Sequence, residues 1–426
     1  MRLYAASLPS RVSMPDAFIA LHSKDEYSFL LERESNQENR FSVMGAALSL
    51  VEDAREALKD LAGFVDNEID LPFDFRPGLV GAFSYEGEEK FMLVDRAIVL
   101  DHQKLTAWFI GVFESEAEFS SWRDAALLRL ALIGGEGAIY RHANRVETID
   151  SSLVHSLHYD SEYLGLIEKA KEAIARGDAY QLCLTNQLTI ETEVDPFAVY
   201  LRLREANPAP YLSYLKLGST SLVSSSPEQF LRVSNSGVVS SKPIKGTRPR
   251  SEDAEQDRQL AEELRSNEKE RAENLMIVDL MRNDLGQVSE PSDVVVAKLF
   301  EVESYATVHQ LVSTITAVLK PGLDVFDAVK AAFPAGSMTG APKQSAMSIL
   351  SELEGAPRGI YSGCFGYVSL TGAADLAMTI RTIVFESGKA SIGIGGGITI
   401  DSDPEAELME TKLKARALLG ALGVEQ

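Results

Sequence analysis

Lysine and glutamate side chains at short, regular spacings are the residues of this chain that could perform chemistry. Glu270 and Glu273 stand three residues apart in one helical pattern. In a second pattern Glu407, Glu410 and Lys414 follow at i, i+3 and i+7. Residues at these spacings share one face of a helix. Each set could be a solvated helical surface, but carboxylates are also the hard oxygen donors that Mg²⁺ prefers.

A single lysine stands in a segment rich in proline and glycine. The string PIKGTRPR, residues 243–250, places Lys245, Gly246 and Thr247 between two prolines. Proline fixes φ and lacks a backbone donor, and glycine permits close backbone approach. We therefore predict a stiff loop that presents one amine, although a lone lysine on a loop is usually just solvated.

Three further polar residues stand in surroundings that allow a plain structural interpretation. Glu228 follows Pro227 in SSSPEQF, His309 lies in SYATVHQLVST, and Arg381 lies in AMTIRTIVF. The first could be an exposed turn carboxylate. The second could be a satisfied core histidine, and the third could belong to a buried ion pair.

The elements that must position these residues include both helices and strands. Helices are predicted over 53–65, over 115–134 with a stop at Gly134, and over 161–177 with Gly177 as the C-terminal cap. Strands are predicted over 77–87 and 181–190, the second from its period-two alternation. Asp403 is a good N-cap for the helix that carries Glu410. No regular strand–helix–strand rhythm is visible, so we predict an α+β fold.

The glycine run GIGGGI, residues 393–398, is not a dinucleotide fingerprint. Isoleucine stands where the third glycine of that motif belongs, and no βαβ unit precedes the run. Its glycines can instead offer backbone N–H groups to an anion.

Composition sets the outer limits on fold and partners. The 426 residues suffice for two domains, which we place at 1–150 and 151–426 with a boundary in 135–150. The 41 basic and 63 acidic residues give a net charge of −22. This charge argues against nucleic acid and anionic membranes as partners, because both need basic surface. No segment has the apolar length of a membrane span or the pattern of a signal peptide. We therefore expect a cytoplasmic protein. The two cysteines are predicted to be small core residues.

Seven separated motifs resemble, in order, those of the chorismate-using enzymes, a family that includes anthranilate, aminodeoxychorismate, isochorismate and salicylate synthases. The matching strings are SSSPEQF (224–230), PIKGTRPR (243–250), EKERAENLMIVDLMRNDLG (268–286), GSMTGAPK (336–343), RGIYSGCFGYVSL (358–370), MTIRT (378–382) and GIGGGITIDSDPEAELMETKLKARAL (393–418). The resemblance covers residues 155 to 420. It implies two orthogonally packed, largely antiparallel sheets flanked by helices.

The resemblance also implies roles for individual residues. Glu273 and Glu410 match the magnesium ligands, and Glu270 and Glu407 match outer-shell groups. Glu228 matches the general acid, and His309 matches a catalytic or orienting residue. The expected contacts to chorismate come from residues in four of the motifs, namely Gly246, Thr247, Tyr361, Arg381, Gly395, Gly396, Gly397 and Lys414. Lys343 could add positive charge.

Lys245 separates the branches of the family. The resemblance implies that this lysine attacks carbon 2 of chorismate while the 4-hydroxyl leaves, as in the aminodeoxychorismate-forming branch. Isochorismate and salicylate synthases have a lysine that activates water where this chain has Gln181, so ammonia is the expected nucleophile. Cys364 lies in an elbow-like SGCFG, but no histidine follows His309. We therefore expect a separate glutamine amidotransferase as partner. The anthranilate-forming branch is the alternative, although Arg33 stands where its tryptophan-binding segment has serine.

Overall fold

The structure is a computed structural model that describes residues 1–10, 12–36, 39–66, 69–305 and 308–425. Its described helices are α1 (Met14–His22), α2 (Ala54–Phe64), α3 (Glu116–Leu130), α4 (Glu136–Ala143), α5 (Asp160–Ala175), α6 (Pro196–Ala206), α7 (Ala254–Ser266), α8 (Glu268–Val288), α9 (Val325–Ala332), α10 (Lys343–Glu354) and α11 (Pro404–Leu422). Short 3₁₀ turns occupy Ser151–Leu153, Pro291–Asp293 and Gly336–Met338.

The described strands are β1 (Arg2–Pro9), β2 (Tyr27–Glu32), β3 (Phe41–Ala47), β4 (Leu50–Val51), β5 (Gly78–Phe83), β6 (Glu89–Val94), β7 (Arg96–Asp101), β8 (Thr106–Phe113), β9 (His155–Ser156), β10 (Gln181–Glu191), β11 (Tyr211–Leu217), β12 (Thr220–Ser226), β13 (Gln229–Val233), β14 (Val238–Lys242), β15 (Ile244–Pro249), β16 (Val295–Ser304), β17 (Val308–Val318), β18 (Gly340–Ala341), β19 (Cys364–Ser369), β20 (Ala374–Met378), β21 (Thr382–Glu386) and β22 (Lys389–Ile398).

These strands form two large antiparallel sheets. The larger has the order β1-β8-β7-β3-β2-β11-β12-β21-β22-β10-β18, with β9 beside β10. The smaller has the order β15-β17-β14-β13-β20-β19-β5-β6-β4, with β16 beside β17. Helices pack around both sheets, and the predicted α+β class is confirmed.

Each sheet combines strands from the first 150 residues with strands from later in the chain. In the larger sheet β2 pairs with β11, and in the smaller sheet β5 pairs with β19. The division into domains at 1–150 and 151–426 stays a prediction. The expected boundary at 135–150 contains α4, whereas the preceding helix α3 ends at Leu130, earlier than predicted.

One hydrophobic core combines side chains of both sheets, such as Leu31 on β2, Val80 on β5 and Phe365 on β19, all at most 1% exposed. A second core, which includes Phe18, Phe197 and Leu418, packs α1, α6 and α11 against the larger sheet. A third core packs α5 and α10 against β10 and β22. The helices of the second and third cores therefore stabilise the larger sheet around β10 and β22, because buried apolar area supplies most of the stability.

Several local predictions are confirmed. The helix predicted over 53–65 forms as α2, and Asp403 caps α11 as predicted by accepting a hydrogen bond from Ala406 N. Cys183 and Cys364 are buried free thiols. No helix among the described residues combines the length and apolarity needed to cross a bilayer.

Candidate active site

Lys245 projects from a strand rather than from the predicted loop. Residues 244–249 form β15, which pairs with β17 through a register shift between Ile244 and Thr247. Gly246 lies inside this irregularity with φ of +84°, and a Cβ there would lie 2.8 Å from Glu270 Cδ. The loop prediction is wrong because glycine allows a bulge without ending the strand. The bulged strand packs tightly against α8 and leaves Thr247 exposed.

The glutamate faces of α8 and α11 converge beside this lysine. The Nζ of Lys245 lies 3.7 Å from Oε2 of Glu273, and both side chains are only about one-seventh exposed, at 15% and 14%. Burial raises the pKa of Glu273, and the charges of Lys245 and Lys269 oppose that rise. The carboxylates of Glu270 and Glu407 raise it further. Because Glu407 belongs to α11, the two predicted carboxylate pairs share one electrostatic environment.

Helix α11 also brings a lysine to the glycine run of β22. The Nζ of Lys414 donates to Gly395 O at 2.7 Å and lies 2.9 Å from Oε1 of Glu410. Burial acts to raise the pKa of Glu410, but the charge and hydrogen bond of Lys414 outweigh it and lower this pKa overall. Ser402 donates to Glu407 at 2.7 Å, which holds that buried carboxylate at the start of the helix.

Of the three consecutive glycines, Gly395 packs against the backbone of β10, and Gly396 and Gly397 face charged groups. A Cβ on Gly396 would lie 3.1 Å from Oε2 of Glu407 and 3.8 Å from Nζ of Lys414. A Cβ on Gly397 would collide with the side chain of Gln181 and lie 3.2 Å from Nζ of Lys245. Glycine is required here because no side chain fits between the strand and these groups. The predicted binding residues on β22 therefore lie beside Lys245, Glu407 and Lys414.

Tyr361 and Arg381 lie next to β22 and α11 and complete this side of the site, which is called the β22 wall below. A side chain at Gly393 would overlap the ring of Tyr361, so this ring lies flat against β22. Arg381 has φ of +52° between β20 and β21, and its Nη1 donates to Lys414 O at 3.1 Å. Burial lowers the pKa of Arg381, with Tyr361 and Glu410 opposing that shift through their charges. The strained backbone turns this arginine out of the apolar strand pattern and toward α11.

Glu228 is a buried carboxyl, and the exposed-turn interpretation is wrong. Its residue is 7% exposed in the turn between β12 and β13. Burial raises its pKa to about 7, although a hydrogen bond from Ser337 and the charge of Lys245 act in the opposite direction. A carboxyl with this pKa is partly protonated near neutral pH and can donate a proton.

His309 has hydrogen-bond partners on both ring nitrogens. Its Nδ1 lies 2.8 Å from Ser304 Oγ, and its Nε2 lies 2.9 Å from Oδ1 of Asp257. Asp257 is in turn held by Arg250 at 2.8 Å. These contacts place the ring in a buried network between β17 and α7, and its catalytic or orienting role stays a prediction.

Lys343 lies in a separate ion pair rather than among the residues described so far. Its Nζ lies 2.6 Å from Oδ2 of Asp284 and donates to Ala332 O at 3.1 Å. The neighbouring carboxylate compensates its charge, so Lys343 has a structural partner of its own.

Two features of the site are absent from the sequence interpretation. Ser337, in GSMTGAPK, hydrogen-bonds to Glu228. Arg358 forms a buried ion pair with Glu354 at 2.7 Å and also donates to Cys183 O and Met338 O. Both residues stand inside family-like motifs, but only the fold shows which groups they contact.

Metal binding would fall to the glutamates of α8 and α11. Among residues that the structure describes, no three or more His, Cys, Asp and Glu form a preorganised metal cluster. However, Mg²⁺ typically takes only one or two protein carboxylates together with waters and substrate oxygens. The hard donor set of Glu273 and Glu410 fits this requirement. A cation there would also relieve the repulsion that Glu270 and Glu407 impose on Glu273.

The two-sheet fold and the motifs that build this site assign the chain to a known family. Residues 12–420 match the family described as chorismate binding enzyme, so the chain belongs to that family. The resemblance to the chorismate-using enzymes is thereby confirmed.

Named relatives fall in two branches. Aminodeoxychorismate synthase of Streptomyces griseus is 40% identical over 99% of this chain and 64% of its own length. Anthranilate synthase component 1 of Methanothermobacter thermautotrophicus is 35% identical over 96% of this chain and 91% of its own length. The crystal structure of anthranilate synthase component I from Streptococcus pneumoniae TIGR4 superposes with a TM-score of 0.73 at 29% identity, covering 98% of this chain and 92% of that one. The chain spans 42% to 64% of the length of the aminodeoxychorismate synthases it matches.

Proposed function

We propose that this protein is the chorismate-aminating component of an aminodeoxychorismate synthase, which converts chorismate and ammonia to 4-amino-4-deoxychorismate. The observation that carries the proposal is the position of the Lys245 amine. It lies close to Gly397, since a Cβ added there would be 3.2 Å from Lys245 Nζ and would also meet the side chain of Gln181. A glutamine cannot act as a base toward water, whereas the amine of Lys245 is a nucleophile suited to covalent catalysis.

The first chemical step is the attack of Lys245 Nζ on carbon 2 of chorismate. A carbon–nitrogen bond forms, both ring double bonds shift around the ring through carbons 1, 6 and 5, and the bond from carbon 4 to its hydroxyl breaks. Glu228 donates a proton to the departing oxygen, which leaves as water. Ammonia then attacks carbon 4 and loses a proton, both double bonds shift back, and the bond from carbon 2 to Lys245 breaks so that the lysine leaves as its free amine. The balance is chorismate plus ammonia to aminodeoxychorismate plus water.

We assign substrate binding to the β22 wall, that is, to the glycines of β22 and the side chains of Tyr361, Arg381 and Lys414 beside them. Arg381 suits a bidentate contact to one carboxylate, and Tyr361 lies beside it against β22. The N–H groups of Gly395, Gly396 and Gly397 and the amine of Lys414 suit the second anionic group. Gly246 and Thr247 flank the nucleophile on the opposite side of the site.

Mg²⁺ is proposed to bind Glu273 and Glu410, with Glu270 and Glu407 reaching it through water. The metal would neutralise a substrate carboxylate in a chain whose net charge is −22. Its donors are hard oxygens, as Mg²⁺ requires. The chain's own groups do the remaining work, because Lys245 forms the covalent bond and Glu228 moves the proton.

Ammonia is proposed to come from a separate glutamine amidotransferase. Neither cysteine suits a glutaminase, because Cys183 and Cys364 are fully buried and burial raises the pKa of each thiol. The product would enter p-aminobenzoate and folate biosynthesis, with a separate lyase as the next enzyme. The cytoplasmic location stays a prediction.

Anthranilate synthesis is the second candidate. It is favoured by the anthranilate synthase components that this chain matches over 86% to 92% of their own length. Against tryptophan control of such an activity, Arg33 fills the position expected for serine. Its guanidinium lies 3.2 Å from Asp375 and over the ring of Tyr211 at 4.4 Å.

A chromatographic product assay tests the proposal. The purified protein is incubated with chorismate, Mg²⁺ and ammonium, with and without an aminodeoxychorismate lyase. We expect p-aminobenzoate only when the lyase is present. Anthranilate formed without the lyase would replace the proposed function by the second candidate, and the absence of any product would contradict both.

A further inference from the structure

Both oxygens of the Glu273 carboxylate face a lysine ammonium group. Lys245 Nζ lies 3.7 Å from Oε2, and Lys269 Nζ lies 3.9 Å from Oε1. Both separations exceed a charge-assisted hydrogen bond of about 2.7–2.9 Å. These are loose ion pairs, which a competing cation in direct contact with an oxygen can replace.

The two lysines differ in how easily their side chains can move away from Glu273. Lys245 is 15% exposed and confined on the β15 bulge, whereas the Lys269 side chain is 61% exposed in the first turn of α8. Lys269 also acts through its charge on Glu410 of the facing helix α11. The charge of Lys269 therefore acts on both carboxylates assigned to Mg²⁺, and its exposed side chain can move away into solvent.

We propose that Lys269 is an exchangeable counter-ion, which Mg²⁺ displaces from Glu273 and Glu410 and which then attracts the entering chorismate dianion. The inference rests on the proposed function for its substrate and on the carboxylate pair for its metal. A divalent ion at Glu273 repels an ammonium group a few ångströms away. The released lysine contributes uncompensated positive charge at the entrance, where a chain of net charge −22 needs it.

The proposal predicts opposite effects of one substitution on two ligands. In K269M, Mg²⁺ should bind about threefold to tenfold more tightly, because a repelling charge is gone. The KM for chorismate at saturating Mg²⁺ should rise by a similar factor, with kcat within about twofold of the original. Both effects should shrink as NaCl is raised, since exposed charges are screened. A purely structural role for Lys269 would weaken both ligands together.

The first experiment titrates MgCl₂ by calorimetry into the substrate-free protein, its K269M variant and a matched control. The control is K389M, because Lys389 is 58% exposed, lies 3.9 Å from Glu191 and stands at the opposite end of β22 from the glycines of the site. Tighter Mg²⁺ binding in K269M alone supports the proposal. Unchanged or weaker binding in K269M, an equal gain in K389M, or no Mg²⁺ binding to any variant overturns it.

The double variant K269M/E273Q shows whether Glu273 mediates the effect. The gain from K269M should disappear when Glu273 cannot hold the metal, and a gain that persists would overturn the assignment to this carboxylate. This titration uses no chorismate and is read separately from the product assay. A failed product assay with a positive titration would therefore contradict the proposed function and leave the metal exchange supported.

Discussion

The side chain of Ser337 lies beside the carboxyl of Glu228 and lowers its pKa, so a 3₁₀ turn acts on the turn between β12 and β13. Burial of Glu228 raises its pKa to about 7, while the Ser337 side chain favours the ionised form and limits that rise. A proton donor of this strength is suited to a hydroxyl leaving group near neutral pH.

The pH dependence of the reaction should report on Glu228. Only the protonated carboxyl can donate, so kcat/KM for chorismate should fall as pH rises above about 7. The measurement is made at constant free ammonia, because ammonium itself deprotonates at alkaline pH. E228Q should lower activity by about 10²- to 10⁴-fold. A profile that stays flat from pH 6 to 9 would rule out Glu228 as the acid.

Replacement of Ser337 should shift the pH at which kcat/KM falls, which is the alkaline limb of the pH profile. In S337A the ionised carboxylate loses a donor, so the pKa of Glu228 rises and the activity limb shifts to higher pH. The matched control is S345A, since the Ser345 hydroxyl donates to Asp178 O at 2.6 Å and not to Glu228. The same pH profiles are measured for both variants. A limb that is unmoved or shifted downward in S337A would contradict the contact's role.

A methyl group at Gly397 should damage the site without unfolding the protein. Its Cβ would displace Gln181 and approach Nζ of Lys245 to 3.2 Å. We expect G397A to lower kcat/KM by about tenfold to hundredfold, because small displacements of reacting groups are costly. G134A is the control, since nothing lies within 4 Å of its added Cβ. Steady-state kinetics and melting temperatures are compared, and full activity in G397A would place chorismate elsewhere.

The buried pair of Arg358 and Glu354 should be a major source of stability behind the site. Arg358 is 4% exposed and bidentate on Glu354, which also accepts a hydrogen bond from Thr185 N at 2.9 Å. R358M leaves that carboxylate buried and unpaired, at an expected cost of about 3–5 kcal/mol.

Denaturant unfolding checks this prediction against an exposed ion pair. R176M removes a surface pair with Asp178, in which both side chains are at least 46% exposed, and should cost less than about 1 kcal/mol. Equal losses of unfolding free energy in R358M and R176M would show that the buried pair contributes no more to stability than the exposed pair.

The sequence predicted the parts of the fold that depend on local signals. Asp403 caps α11 as expected, since N-cap preferences act within one turn. The β15 bulge escaped prediction because proline and glycine suggested a loop, while the pairing partner β17 lies about 60 residues further along the chain.

In the candidate site, too, local spacing was predictable and tertiary contacts were not. The i, i+3 spacing placed Glu270 with Glu273 and Glu407 with Glu410 correctly on their helices. Convergence of the two helices on Lys245 is a tertiary property that motif order alone could not reveal. Ser337 and Lys269 went unassigned because a serine or an exposed lysine has no signature until its neighbour is known. The ion pair between Lys343 and Asp284 joins residues about 60 positions apart and was likewise hidden.

Covalent attachment of substrate to Lys245 is the central claim, and mass spectrometry tests it most directly. The protein is mixed with chorismate and Mg²⁺ without ammonia, quenched in acid and digested. The peptide that contains Lys245 should gain the mass of chorismate less one water, and K245M should not. An unmodified peptide at every quench time, from protein that forms aminodeoxychorismate once ammonium is added, would contradict the account.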